Sequence, residues 1–442
     1  MMKEKKLNSY MLYRKEIDGL RALAVLPVLL FHAGFGLFEG GYVGVDVFFV
    51  ISGYLITYII LSQLSESKFS IANFYERRAK RILPPLFLVM ISCYPFAYLF
   101  MAPYEIKDFG ESLIATAFFG SNFLFAFESG YFQGPSEFKP LLHTWSLAVE
   151  EQYYLFYPIF LIFAWSFFRN KITLILVLIS LISLIACEFF SYTYPGYNFF
   201  LLPTRSWELL VGSLISIYLF NKNQSNVPPH TKYSNYFSLL GMLLVLISIF
   251  TMDSNTRFPS LVTLIPVLGT GLMILFCTKK TLLWRLLTNR VLVWFGLISY
   301  SLYLWHQPIL VFGRMYFEDN ITTAIKIALL MVSTFISFLS WKYFESPIRK
   351  SSISQKNTFI SVFFCIGFFS ISHFYIQSKN GFIDKLKNQN NQFARTLGEY
   401  AEYTQENQKK INKRVFPKNN KKNILIIGDS YSQDFVNIIY ES

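Results

Sequence analysis

Arg21 and His32 stand eleven residues apart in LRALAVLPVLLFHAG, with no other ionisable group between them. At 100° per residue, eleven steps fall within about 20° of three full turns, so in a helix both side chains share one face, stacked about 16 Å apart. An arginine at membrane depth costs a few kcal/mol at least and needs a partner or a water-filled cavity. The pair is therefore a functional hypothesis by default. The competing reading has Arg21 snorkelling to one set of headgroups and His32 sitting at the other interface.

Further polar groups stand in or beside apolar runs, each with a functional and a plain structural reading. In GGYVGVDVFFVISGYLIT (40–57) Asp46 enters an apolar run behind three glycines, where it can orient a histidine on the preceding helix or serve as a charge at a helix start. In HTWSLAVEEQYYLFYP (143–158) the adjacent Glu150 and Glu151 face different directions, so one can face a bundle interior. A carboxylate there would fix the tautomer of a nearby imidazole. In FYERRAKRILPP (74–85), read as an inner loop, Arg78 and Arg81 are three apart and make a forked phosphate clamp, although a cytoplasmic basic cluster needs no such explanation. Arg205 and Glu208, also three apart, are expected to pair with each other. His306, before Pro308, reads as a structural hydrogen bonder, and Glu345 to Arg349 as a helix stop.

Membrane helices must position these residues. The chain has 442 residues, 53% of them hydrophobic and 19% aromatic, more apolar surface than a soluble chain of this length can bury. Eleven apolar segments are expected to cross: 17–35, 45–64, 84–102, 147–168, 172–190, 206–220, 236–250, 259–277, 291–312, 324–342 and 358–376. The fold class is thus an all-α polytopic membrane protein, since lipid offers no partner to open backbone. The net charge of +13 follows the positive-inside pattern rather than a nucleic-acid footprint. With the N-terminus inside, the inner segments hold the dense clusters, such as Lys68, Arg77, Arg78, Lys80 and Arg81. The outer ones hold only Lys107, Lys139, Arg205, Arg257 and Arg314. That asymmetry requires the short apolar run 112–127 to be re-entrant or interfacial. The four cysteines each sit in an apolar run and suggest packing, not disulfides or metal.

His32, Asp46 and Glu150 then fall in the outer half, and Arg21, Arg78 and Arg81 toward the inner half. Such a polar column with cations at its cytoplasmic mouth suits an anionic cytoplasmic cofactor with a long thin arm, which the residues alone do not name.

Taken in order, the Arg21/His32 span, the GGYVGVDVFFVISGYLIT block, Arg78-x-x-Arg81, WSLAVEEQYYLFYP, SYSLYLWHQPIL and YFESPIRK resemble the acyltransferase-3 family of integral membrane acyltransferases over about residues 14–350. ILIIGDSYS, near the C-terminal end, resembles the first block of an SGNH-hydrolase-like domain with Ser430 as its nucleophile. This fused layout is similar to O-antigen and peptidoglycan O-acetyltransferases. The resemblance implies a ten-helix acyltransferase domain (1–350), an extra transmembrane helix (351–376), an extracytoplasmic linker (377–423) and the truncated α/β start of an SGNH-like domain (424–442). It implies acetyl-CoA bound from the cytoplasm, Arg78 and Arg81 on its phosphates, and Arg21 on the CoA arm or thiolate. His32 would be base or transient acyl acceptor supported by Glu150 and Asp46, with the acyl group leaving onto a surface-glycan hydroxyl (lipopolysaccharide, exopolysaccharide or peptidoglycan). It places the chain in a bacterial cytoplasmic membrane, N-terminus inside and C-terminus outside, with lipid, acyl-CoA and glycan as partners, and with no metal and no nucleic acid.

Twelve residues after Ser430 leave no room for the remaining SGNH blocks, so a fragment or truncated product is expected, with Ser430 inert for want of a base. A transporter or flippase of a lipid-linked glycan is the alternative, since it too can line a path with Arg, His and Glu. The inverted halves such a fold shows are not apparent in this sequence.

Overall fold

The computed structural model describes residues 13–129, 138–223 and 227–383. Among these residues the secondary structure is helical throughout, with no strand. Each of the eleven apolar segments lies on a helix: α1 Lys15–His32, α2 Gly44–Ser65, α3 Ile71–Phe100, α4 Thr144–Phe167, α5 Ile172–Thr193, α6 Leu202–Asn223, α7 Ser234–Thr251, α8 Leu264–Phe276, α9 Arg290–Phe317, α10 Thr323–Ser340 and α11 Gln355–Ser378. The short apolar run falls on two further helices, Pro103–Ala117 and Ser121–Phe127. Ser430 and the linker from residue 384 onward lie outside the described residues.

Among the described residues six helical stretches are long and apolar enough to cross a membrane: Gly36–Ser65, Ile71–Phe100, Arg169–Thr193, Ser234–Thr251, Thr323–Arg349 and Gln355–Ser378. Helices α1, α4, α6 and α9 have comparable lengths, 18 to 28 residues. They fall below that hydropathy because they carry Arg21, Glu150, Arg205 and His306 with their polar neighbours. Four helices that bear polar groups are therefore missing from those six, while α2 and α3, which carry Asp46, Arg78 and Arg81, are among them.

Close helix contacts set the frame. Helix α2 lies along α6, and α1 along α9. A Cβ on Gly53 would stand 1.8 Å from the Leu209 carbonyl oxygen, and one on Gly296 would stand 1.9 Å from that of Asp18. Only glycine lets these backbones meet, as expected where helices pack without a hydrophobic drive between them. The stretch read as an inner loop, 74–85, is part of α3. The Ser70 side chain caps α3 by accepting from the Asn73 N–H at 3.4 Å, and Lys80 pairs with Glu76 at 2.7 Å one turn away. Capping and an i,i+4 pair extend the helix beyond its apolar window.

The described residues divide into two compact units, those up to 101 with those of 109–373, and those of 102–108 with those from 374 onward. The site described below lies wholly in the first. Within the second, Gln377 donates to the Lys107 carbonyl at 3.5 Å.

Candidate active site

Five helices of the larger unit surround one cavity. Arg21 enters from α1, Ser52 from α2, Arg78 and Arg81 from α3, Glu150 and Tyr154 from α4, and Tyr300 and Tyr303 from α9. The three arginines converge as their spacing predicts: Arg78 and Arg81, one turn apart on α3, face the same space as Arg21. Among the described residues none of the three forms an ion pair. Each keeps part of its surface open to the cavity. Arg78 stacks over Tyr154, its guanidinium carbon 5.0 Å from the ring centre. Tyr154 in turn donates to Glu150 Oε2 at 2.9 Å, which ties that carboxyl to the cavity wall. Tyr300 donates to the Ile82 carbonyl at 2.7 Å and pins α9 to α3 beside Arg81.

A group of imidazoles adjoins this space. Tyr303, on the cavity wall, donates to the His143 carbonyl at 2.9 Å and lies 2.7 Å from Ser146 Oγ. Its ring centre is 5.4 Å from those of both His143 and His306. His306 in turn meets His32: Nδ1 of His32 and Nε2 of His306 are 3.0 Å apart. His32 is the last residue of α1, and the Arg314 guanidinium donates to its backbone carbonyl. Among the described residues no group of three or more His, Cys, Asp or Glu is spaced to hold a metal ion.

The structure separates residues that the sequence reading grouped together. Asp46 does not bond His32; its Oδ1 accepts from Arg205 Nη2 at 2.9 Å. Glu208 is 3.2 Å from Arg205 Nε, the expected i,i+3 pair. All three side chains are at most 1% exposed. Four rings, Phe49, Trp145, Phe199 and Phe258, enclose the guanidinium with centres 5.4–5.7 Å from it. Glu150 reaches Tyr154 rather than His32. His306, read as a structural residue, is the one that bonds His32, and His143 joins the same group. Both residues lie inside motifs visible in the chain, but nothing in the chain says which helix faces they meet.

The family model described as an acyltransferase domain, acyltransferase 3, matches residues 14–342. The chain is 32% identical over 369 residues to "Peptidoglycan O-acetyltransferase OatA" of Listeria monocytogenes, covering 79% of this chain and 59% of that protein. It is 34% identical over 351 residues to "Putative peptidoglycan O-acetyltransferase YrhL" of Bacillus subtilis, covering 76% and 55%. It is 34% identical over 372 residues to "Putative O-acetyltransferase SAS0844" of Staphylococcus aureus, covering 81% and 61%. The chain thus spans less than two thirds of the length of these curated relatives. No solved structure matches it.

Proposed function

The chain belongs to the acyltransferase-3 family, and from that premise we propose that it is a membrane O-acyltransferase that moves an acetyl group from cytoplasmic acetyl-CoA to a hydroxyl of an extracytoplasmic cell-wall glycan. The observation that carries this reading is the cavity with three guanidiniums and no ion pair among the described residues. Guanidiniums held in a partly enclosed space without carboxylate partners suit the diphosphate and phosphate of a coenzyme, which take forked, charge-assisted hydrogen bonds. In this reading Arg78 and Arg81 hold phosphates, and Arg21 faces the arm or the departing sulfur. Tyr154 keeps Arg78 flat and Glu150 in place.

Acetyl-CoA supplies the acyl group as a thioester. His32 Nε2 takes the proton of the acceptor hydroxyl while that oxygen's electron pair forms the new bond to the acyl carbon. The C–S electrons leave on sulfur, and the proton held by His32 passes to it, so thioester and alcohol become ester and thiol. A route through an acyl group carried briefly on His32 balances in the same way.

The eleven-crossing topology, with residues 1–350 as the catalytic membrane domain, the N-terminus inside and the C-terminus outside, belongs to this reading. So does Ser430 as the nucleophile of an outer SGNH-like domain. The names of the relatives favour peptidoglycan as the acceptor.

The test uses the purified chain in nanodiscs with acetyl-labelled acetyl-CoA, following thiol release and protein-bound label. Wild type is expected to release thiol. His32→Ala is expected to lose release while still binding acetyl-CoA, and Arg78→Ala to bind it weakly. Turnover that survives in His32→Ala would overturn the assignment of His32, and a wild type that neither binds nor cleaves acetyl-CoA would overturn the donor.

A further inference from the structure

We propose that His306 is a positioning residue that fixes the tautomer of His32, keeping the proton of His32 on Nδ1 and leaving Nε2 as its reacting atom. This rests on the acyltransferase reading for its purpose, though not for its geometry.

The proton positions follow from the partners in turn. His306 Nδ1 lies 3.2 Å from the Leu302 carbonyl oxygen, one helical turn back on α9. A carbonyl oxygen only accepts, so Nδ1 of His306 carries a hydrogen. His306 is fully buried, and no ion pair with a carboxylate is formed by its ring among the described residues. The Arg314 guanidinium, bonded to the His32 carbonyl, already places one positive charge beside the pair. A charge on a fully buried ring without a carboxylate partner is costly, so the His306 ring is neutral. A neutral ring with hydrogen on Nδ1 offers a lone pair at Nε2. That lone pair faces His32 Nδ1 at 3.0 Å, so His32 Nδ1 is the donor. The neutral His32 ring then has no hydrogen on Nε2.

Reacting bases are commonly oriented by a third group bonded to their far side. Here an imidazole takes the place a carboxylate usually fills. It sets the tautomer without placing an unpaired negative charge in a site built to receive an anionic substrate. When His32 Nε2 gains a proton, the Nδ1–H bond to His306 becomes charge-assisted and shortens. His143 and Tyr303 pack against the His306 ring, with centres 5.4 Å away, and hold it in place. Without His306, nothing else described bonds His32 Nδ1, and the ring would be free to put its hydrogen on Nε2.

The test reads the tautomer directly. The chain has five histidines. With their rings labelled with 15N and the protein in nanodiscs, His32 can be assigned from the signals lost in His32→Ala. Wild type is expected to show His32 bonded to hydrogen at Nδ1 and bare at Nε2. His306→Gln, whose amide oxygen can accept the same bond, is expected to keep that pattern. His306→Phe is expected to reverse it. In the thiol-release assay His306→Phe should fall by about 100- to 10,000-fold, while its affinity for acetyl-CoA stays that of wild type and His306→Gln recovers much of the loss. Hydrogen on Nε2 of His32 in wild type, an unchanged tautomer in His306→Phe, or equal losses in the Gln and Phe variants would each overturn the proposal. A wild type that releases no thiol would instead overturn the acyltransferase reading, and the tautomer in wild type and His306→Phe would still decide the role of His306.

Discussion

Arginine is held among the packed helices of this molecule in two settings, and the contrast between them separates a cation with its counter-charges in place from cations that form no ion pair. Arg205 is sealed: 1% exposed, bonded to Asp46, close to Glu208 and boxed by four rings. Arg21, Arg78 and Arg81 share a cavity and form no ion pair among the described residues. A buried cation with its counter-charges in place ties helices together, here α2 to α6. Three cations gathered around a space where the lining carboxylate, Glu150, forms an ion pair with none of them repel one another, and the fold must hold them there at a cost in stability. Such a cost is expected where a ligand supplies the missing anion.

The largest effect expected from this contrast is on stability, at Arg205. Arg205→Met leaves Asp46 and Glu208 buried with no cation, and removing one member of such a group costs about 3–5 kcal/mol. A thermal midpoint well below wild type is expected, with poor recovery of monodisperse protein from detergent. Neutralising the carboxylates as well, in Asp46→Asn/Arg205→Met/Glu208→Gln, is expected to restore part of the loss. If Arg205→Met melts where wild type does, the cluster does not hold the bundle together.

The cavity arginines should behave in the opposite way. Arg78→Gln and Arg81→Gln each remove one charge-assisted contact to the donor, worth roughly 1.5–3 kcal/mol, or about 10- to 150-fold in acetyl-CoA affinity. The ligand-free proteins should melt at or above the wild-type temperature, because the substitution relieves repulsion among like charges. Lysine at either position should restore the charge but not the forked geometry, and so only part of the affinity. Equilibrium binding of labelled acetyl-CoA and thermal unfolding without ligand read the two halves of this prediction. A variant that loses stability and keeps affinity would place its arginine with Arg205.

The sequence showed one half of this contrast more clearly than the other. Contacts within one helix are fixed by spacing, so the Arg78/Arg81 face and the Arg205–Glu208 pair could be read from the chain. Contacts between helices are not. Asp46 and Arg205 are 159 residues apart, and His32 and His306 are 274 apart. Nothing local selects Arg205 over His32 as the partner of Asp46. His306 read as structural for the same reason, since its neighbour Pro308 is visible in the chain and its partner is not. Apolar windows located the eleven helices but misplaced the start of α3, where Ser70 and the Glu76–Lys80 pair carry the helix into polar sequence. Glu345 to Arg349 reads as a helix stop, and the helical stretch Thr323–Arg349 ends there; what the chain does not show is that Glu345, buried, accepts from Ser301 at 2.7 Å. A carboxylate drawn inward by a partner on another helix leaves no mark in the chain.

A third arginine–carboxylate contact, this one exposed, sharpens the comparison by taking the membrane away. Arg257, in the loop after α7, pairs with Glu188 at the end of α5, with side chains 39% and 24% exposed. The residue types match those of the Arg205 cluster, but water competes for both partners. Exposed pairs of this kind contribute about 0–1 kcal/mol and are screened by salt. Glu188 also accepts from the Leu261 N–H at 2.8 Å, and the Arg257 guanidinium carbon lies 3.6 Å from the centre of the Tyr192 ring. Arg257→Ala is thus expected to lower the thermal midpoint slightly, and by less in high salt than in low. Glu188→Gln should do the same, since its amide oxygen still accepts from Leu261. The salt series carries the discrimination. The small loss at Arg257 should shrink as ionic strength rises, whereas the large loss at Arg205 should stay, because ions do not enter a site that is 1% exposed. A salt-independent loss of several kcal/mol at Arg257 would mean that desolvation is not what sets the two pairs apart.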